Sequence, residues 1–252
     1  MDRFKSVIRE RVPGVYRSLH RWRQRTTLGA IARKYDDRIA AGPFEGMRYF
    51  RESFGSALVP KFVGSYECEL HGIFTSLGGR GITEVVDIGC AEGYYAVGLA
   101  RLLPDAKVVA YDIDPHARDL CRQLCELNSV EGRVSIGCAC GPQELKSVSG
   151  RRAFVLCDCE GFELDLFDVD TVRDLATADL LVETHDMYRP GCTEELCSRF
   201  AATHGIEVIA PRRRLWSDFP AVAVVPRIFR RYALDEWRNP AQRWISARAR
   251  LA

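Results

Sequence analysis

Residues 83–95 read TEVVDIGCAEGYY, and this stretch decides the fold. Thr83 to Ile88 is β-branched and apolar apart from Glu84 and Asp87, the composition of a strand covered on both faces. Gly89 and Gly93 frame a tight turn, and the AVGLARLL that follows has helical spacing. Glycine lets the backbone pass close to a ligand, and a helix start offers free N–H groups. The spacing Asp87-x-Gly89-x-x-x-Gly93 differs from the Gly-x-Gly-x-x-Gly dinucleotide fingerprint.

A second strand, Ala106 to Tyr111, ends at Asp112, which lies 23 residues after Gly89. In nucleoside-binding α/β folds an acidic residue about 20 residues on ends the second strand and accepts hydrogen bonds from a ribose. With the turn Asp112-Ile113-Asp114-Pro115, these segments resemble the first two motifs of class I S-adenosylmethionine-dependent methyltransferases. The α/β alternation then continues. Strands are expected at 133–138, at Ala153 to Cys157 and at Asp179 to Glu183, separated by helices and a short crossover holding Gly141-Pro142. Ile206 to Ala210 and Ala221 to Val225 read as the last two strands. Their connection, PRRRLWSDFP, is too short for a crossover helix, so they should be antiparallel.

The expected fold is α/β: a Rossmann-like seven-stranded sheet of five parallel strands plus a C-terminal antiparallel pair, with helices on both faces. The expected division is a basic helical extension over 1–60, the methyltransferase domain over 61–230, and a basic tail over 231–252.

Composition is that of a soluble globular chain, 47% apolar and 28% charged. No apolar run approaches the ~20 residues of a membrane span. The N-terminus has no apolar core of a secretory signal, so the expected compartment is the cytoplasm. Ten cysteines include two Cys-x-Cys pairs, Cys138/Cys140 and Cys157/Cys159, and no Cys-x-x-Cys. The pairs belong to strands separated by two others, too far apart for one metal. The cysteines are read as reduced, buried small hydrophobes.

Charge is divided. Residues 1–34 carry +8 and 211–252 carry +7, which leaves −13 for 35–210. Two readings stand: a surface for a polyanion, an anionic membrane or a phosphorylated substrate, or solvated arms that dock on the acidic body. The second is preferred. Residues 1–41 read as helices broken at Pro13-Gly14, with Phe4, Val7, Ile8 and Val12 on one face. Such a segment can pack on the domain, pair with another copy into a homo-oligomer, or lie on a membrane.

Residues 154–164, FVLCDCEGFEL, and 180–187, LLVETHDM, narrow the family. Asp158, Glu160, Gly161 and Glu163, followed by Glu183 and His185, resemble the Asp-x-Glu-Gly-x-Glu and Glu-x-His patterns of the FkbM methyltransferases. Gly64-Ser65-Tyr66-Glu67 is similar to the segment that precedes their first strand. The resemblance covers about residues 60–190 of the chain. It implies O-methylation of a hydroxyl on a sugar-containing or natural-product small molecule. Cys157 and Cys159, and the short crossover, depart from the pattern.

In open α/β sheets, ligands bind beyond the carboxyl ends of the strands. The expected contacts of S-adenosylmethionine are Tyr66, Glu67, Asp87, Gly89, Cys90, Glu92, Gly93, Tyr94, Asp112, Ile113, Cys140, Gly141 and Asp158. His185 is the first candidate for general base, with Asp158 and Glu160 beside it. Alternatively Asp158, Glu183 and Asp186 bind Mg²⁺, although the metal-free reading is preferred. A nucleic-acid methyltransferase using the basic ends is the runner-up. The chain lacks the Asp/Asn-Pro-Pro-aromatic run of amino-directed enzymes, and Cys159 sits between Asp158 and Glu160, where a thiolate is disfavoured. A cofactor-binding relative without catalysis is the third alternative.

Overall fold

A computed structural model describes residues 13–238 and 242–250. The apolar face expected at Phe4, Val7, Ile8 and Val12 lies outside them. The described chain opens on helix α1 (Pro13–Tyr35), which begins where a break was expected. Proline is at home in the first turn of a helix, where its missing N–H has no partner to lose. Two short helices follow, α2 (Leu58–Val63) and α3 (His71–Ser76). The alternating part then runs β1 (Glu84–Ile88), α4 (Tyr94–Leu102), β2 (Lys107–Tyr111), α5 (Pro115–Leu127), β3 (Val134–Gly137), α6 (Pro142–Lys146), β4 (Ala153–Cys157), α7 (Glu163–Leu166), α8 (Val169–Asp174), β5 (Asp179–Thr184), α9 (Cys192–Phe200) and β6 (His204–Ile209). A run of 3-10 turns leads to α10 (Arg230–Ala233) and β7 (Arg243–Ala249).

The seven strands form one sheet in the order β3-β2-β1-β4-β5-β7-β6. β1 to β5 are parallel, and β7 runs antiparallel to both β5 and β6. This is the expected seven-stranded layout with one correction. The last strand is Arg243–Ala249, inside the stretch expected to be a basic tail, and Ala221 to Val225 is no strand. The AVAVV run lies between Pro220 and Pro226, and its first four residues belong to a 3-10 turn, Pro220–Val224. Proline fixes φ and cannot donate to a ladder, so such a run fits poorly between two other strands. Ala221, Val222 and Val225 are buried all the same, which accounts for the apolar composition.

Alternation along each strand builds two cores. Val85, Phe154, Leu156, Leu181 and Trp244 face one side, packed with the N-terminal helices, α4 and α5. Val86, Ile88, Val155, Cys157, Leu180, Val182 and Ile245 face the other, with α8 and α9. All ten cysteines are free thiols, six of them buried in these cores and in the turn after β1. No helix among the described residues is long and apolar enough to cross a membrane.

Candidate active site

The carboxyl ends of the parallel strands open into a cleft of about 1030 Å³. Ile88 to Glu92 after β1, Tyr111 to Pro115 after β2, Cys138 to Cys140 after β3, Asp158 to Glu160 after β4 and Glu183 of β5 all line it. The two ends of the domain close it, Phe54 to Ala57 with Lys61 from one and Glu236 to Arg238 with Gln242 from the other.

The glycine turn is built by the protein's own packing. Gly89 has φ +79°, and a Cβ there would lie 1.8 Å from the backbone oxygen of Asp158. Gly93 has φ +93°, and its Cβ would meet Cys121 Sγ at 2.7 Å. Both positions were expected to be glycine so that a ligand could approach. The structure gives a different reason, because β4 and α5 already fill the space that a side chain would need. Four non-glycine residues at or beside the cleft also hold left-handed backbone: Glu67, Ala91, Glu160 and Trp237. Such conformations cost ~1–3 kcal/mol each and gather where a site needs a particular side-chain direction.

Asp112 is pinned rather than free. Its Oδ2 accepts the N–H of Ala91 at 2.9 Å, and its Oδ1 accepts the N–H of Asp114 at 2.9 Å. The turn after β1 is thereby tied to the end of β2. Asp114 caps α5, accepting from His116 N at 2.7 Å, with Pro115 at the first helical position. The helix expected from Pro115 starts there, and its signals are local.

Glu92 was expected among the cofactor contacts. It is fully buried, and its carboxylate is saturated by the protein. Oε1 accepts from Tyr49 Oη at 2.5 Å, Ser53 Oγ at 2.8 Å and Lys61 Nζ at 2.5 Å, and Oε2 accepts from Phe54 N at 3.1 Å. Burial works to raise the Glu92 pKa, but the Lys61 charge and the hydrogen bonds hold it below the ordinary carboxylate value. Lys61 Nζ also lies 4.9 Å from the ring centres of both Tyr66 and Tyr94. One missed signal was available: a single lysine inside the apolar run ALVPKFV demands a buried partner.

At the β4–β5 end, carboxylates crowd around His185, whose side chain is fully buried. Its Nδ1 is hydrogen-bonded to Glu163 Oε1 at 2.8 Å. Its Nε2 has no hydrogen-bond partner and lies 3.4 Å from Glu160 Oε2, 3.6 Å from Asp158 Oδ1 and 3.9 Å from Glu183 Oε2. Burial works to lower the His185 pKa, but the Glu163 hydrogen bond and the charges of Asp158, Glu163 and Glu160 outweigh it and raise it. Burial raises Asp158 above its ordinary value. Glu183 is pushed up to about 11 by burial and then by the charge of Asp158. Arg238 enters from the C-terminal segment and forms ion pairs with Glu67 and Glu183. Glu67 rises to about 7 and Asp87 to about 8, burial being the main cause in both.

Of the residues expected at the site, Tyr66, Gly89, Cys90, Glu92, Tyr94, Asp112, Ile113, Cys140, Asp158 and Glu160 line the cleft. Glu67, Asp87, Gly93, Gly141 and His185 do not. Asp186, expected in the alternative metal site, is turned away. Its carboxylate accepts from Thr193 N at 3.3 Å and from the Thr193 hydroxyl at the start of α9. Among the described residues, the group whose ligand atoms lie close enough for one cation is Asp158, Glu183 and His185, within 4.8 Å of one another.

No family model matches the chain, and no curated protein matches it. Solved structures do show likeness. A precorrin-6y C5,15-methyltransferase from Geobacter metallireducens GS-15 shares 15% identity over 70% of this chain and 85% of that one, with a TM-score of 0.48. An rRNA methylase from Streptococcus thermophilus shares 13% over 72% and 96%, with a TM-score of 0.49. An O-methyltransferase from Bacillus cereus in complex with SAH shares 13% over 70% and 79%, with a TM-score of 0.47. Likeness at this level reaches neither substrate nor chemistry, and the fold rests on the strand order itself.

Proposed function

We propose that the protein is an S-adenosylmethionine-dependent methyltransferase of the FkbM type, acting on a hydroxyl of a sugar-containing or natural-product small molecule. The observation that carries this reading is the placement of Asp112. Its carboxylate is fixed at the end of β2 by two backbone N–H groups and faces the same cleft as the turn after β1 and Asp158. Each carboxylate oxygen keeps a lone pair for a ribose hydroxyl.

The donor set fits a cationic cofactor. The cleft is bordered by Asp112, Asp114, Asp158, Glu160 and Glu183, and Asp158 Oδ1 is a buried acceptor without a partner. When bound, S-adenosylmethionine supplies a methyl group activated by a sulfonium charge. The chain's residues then orient the acceptor and take its proton. Asp158 suits the proton better than His185, because it lines the cleft and burial moves its pKa toward neutrality. His185 stands behind it, held by Glu163, and its imidazolium form, which those carboxylates favour, would steady Asp158 and Glu160. The meeting of Glu163 with His185 at 2.8 Å, and the approach of His185 to Asp158, supports the FkbM resemblance, whose motif residues come together here.

A second reading has its own observation. The Nε2 of His185 is buried and unpartnered, and its 3.4–3.9 Å separations from three carboxylate oxygens exceed hydrogen-bond length. They resemble the edges of a ligand cage around one cation, with Glu163 orienting the imidazole from its far nitrogen. A rise in melting temperature on adding Mn²⁺ or Mg²⁺, lost in His185→Ala, would favour it; no shift removes it.

Titration calorimetry with S-adenosylhomocysteine tests the main proposal. The wild type should bind, and Asp112→Ala should weaken binding by about 1.5–3 kcal/mol, the range for charge-assisted hydrogen bonds. Absence of binding to the folded wild type would overturn it.

A further inference from the structure

Trp22, Leu215, Trp216 and Ile228 are large apolar side chains that remain 53%, 47%, 61% and 79% exposed. They belong to one face. The Trp22 ring packs edge-on against Phe229, with centroids 5.2 Å apart. Ile228 precedes Phe229 in the chain, and Arg230 follows it with its guanidinium 5.5 Å from the centre of the Trp216 ring. Helix α1, the turn at 216–218 and the turn at 227–229 are thus joined side by side.

The charge of this face is one-sided. Arg21, Arg25, Arg213, Arg227 and Arg231 are exposed, and none forms an ion pair with a described residue. Helix α1 contains no acidic residue, and Asp218 is the single acid between 211 and 234. Unpaired guanidinium groups beside solvent-exposed indoles and an aliphatic side chain combine two attractions. The cations favour an anionic surface, and the apolar groups gain only if that surface also removes them from water. A single-stranded nucleic acid would use the indoles as stacking platforms but would leave Ile228 and Leu215 in water.

We infer that this face docks on an anionic lipid surface, with Trp216 and Ile228 entering the headgroup boundary and the arginines engaging lipid phosphates. The charge complementarity is direct, and the composition is that of an interfacial binding element, namely indoles and aliphatics flanked by cations. The inference does not depend on the methyltransferase reading, because none of these residues lines the cleft and the measurement needs no turnover.

Co-sedimentation tests it, using vesicles of phosphatidylcholine alone and of phosphatidylcholine with phosphatidylglycerol at roughly three to one. The wild type should sediment with the mixed vesicles only and be released as salt is raised. Arg227→Ala with Arg231→Ala should lower the partition constant about 25-fold, each arginine contributing about fivefold near an anionic leaflet. Ile228→Ser with Trp216→Ser should lower it by about tenfold or more at unchanged charge. All four side chains are solvent-exposed or beside the turn surface, and circular dichroism checks that the variants remain folded. Failure of the wild type to sediment with mixed vesicles would overturn the inference. So would sedimentation unaffected by Ile228→Ser with Trp216→Ser, or tighter binding to a single-stranded RNA oligonucleotide than to the vesicles.

Discussion

Lys61→Met should destabilise the protein far more than the loss of an ordinary surface cation. The Lys61 side chain is 3% exposed and that of Glu92 is 0% exposed, with Nζ and Oε1 2.5 Å apart. Removing one member of such a buried pair strands the other charge, at a cost of about 3–5 kcal/mol. Glu92 would keep its hydrogen bonds from Tyr49, Ser53 and Phe54, which places the expected loss near the lower end, about 3 kcal/mol. Urea unfolding followed by circular dichroism measures it. The double variant Lys61→Met/Glu92→Gln removes both charges and should be less destabilised than the sum of the two single variants. The pH dependence has a definite sign. In the wild type Glu92 titrates below its ordinary value, so its stabilisation is complete above the usual carboxylate range and is lost as pH falls through the folded pKa. In Lys61→Met only burial and the remaining hydrogen bonds act. Glu92 should then take up its proton at higher pH, and the deficit against wild type should shrink as pH falls. A variant within about 1 kcal/mol of wild type at neutral pH, the range of exposed salt bridges, would refute the argument that this pair anchors the segment preceding β1 to the glycine turn.

Gly89→Ala should cost about 2–4 kcal/mol in urea unfolding, from left-handed backbone together with the forced retreat of β4, even with no cofactor present; unchanged stability would contradict the packing argument. Glu163→Gln should lower the pKa of His185, read by NMR titration, because it removes a carboxylate that raises it; an unchanged titration would show that Asp158 and Glu160 suffice. Arg238→Met should raise the pKa of Glu67 further above its value of about 7, because it removes the cation that lowers it, and Arg238→Lys should recover part of that shift, both read by NMR titration.

The parts of this architecture that the sequence displays are the local ones. β1, its glycine turn and α4 are contiguous, and so are β2, Asp112 and the Asp114–Pro115 helix cap, so apolar runs and turn residues were enough to place them. The Glu163–His185 contact was not visible, although both residues stood out as motif members, because spacing does not report which side chains meet. Glu92 borders the cleft as expected, yet its carboxylate has a second role. Its position beside the glycine turn suggested a ligand contact, but a lysine 31 residues earlier uses its carboxylate. The last strand was misplaced because AVAVV has the composition of a strand, whereas RWISARA hides its buried face behind two arginines. There Trp244, Ile245, Ser246 and Ala247 are buried, while Arg243 and Arg248 point outward. Arg238 gave no signal at all, since an arginine in a basic stretch looks the same whether it meets solvent or two buried carboxylates.

The position of β7 between β5 and β6 has a consequence for how the chain is made. A ribosome releases β6 before β7, yet β6 has no hydrogen-bonded neighbour in the sheet other than β7. During synthesis β5 therefore waits with an open edge, and β6 waits without a place, until the later strand arrives to join them. Arg238 comes in the same late segment, so the carboxylates at 67 and 183 stay without their cation over the same interval. A chain interrupted anywhere between β6 and β7 would hold most of the cleft residues and still present an unpaired strand edge. Such fragments should aggregate or be degraded rather than persist as weakened enzymes.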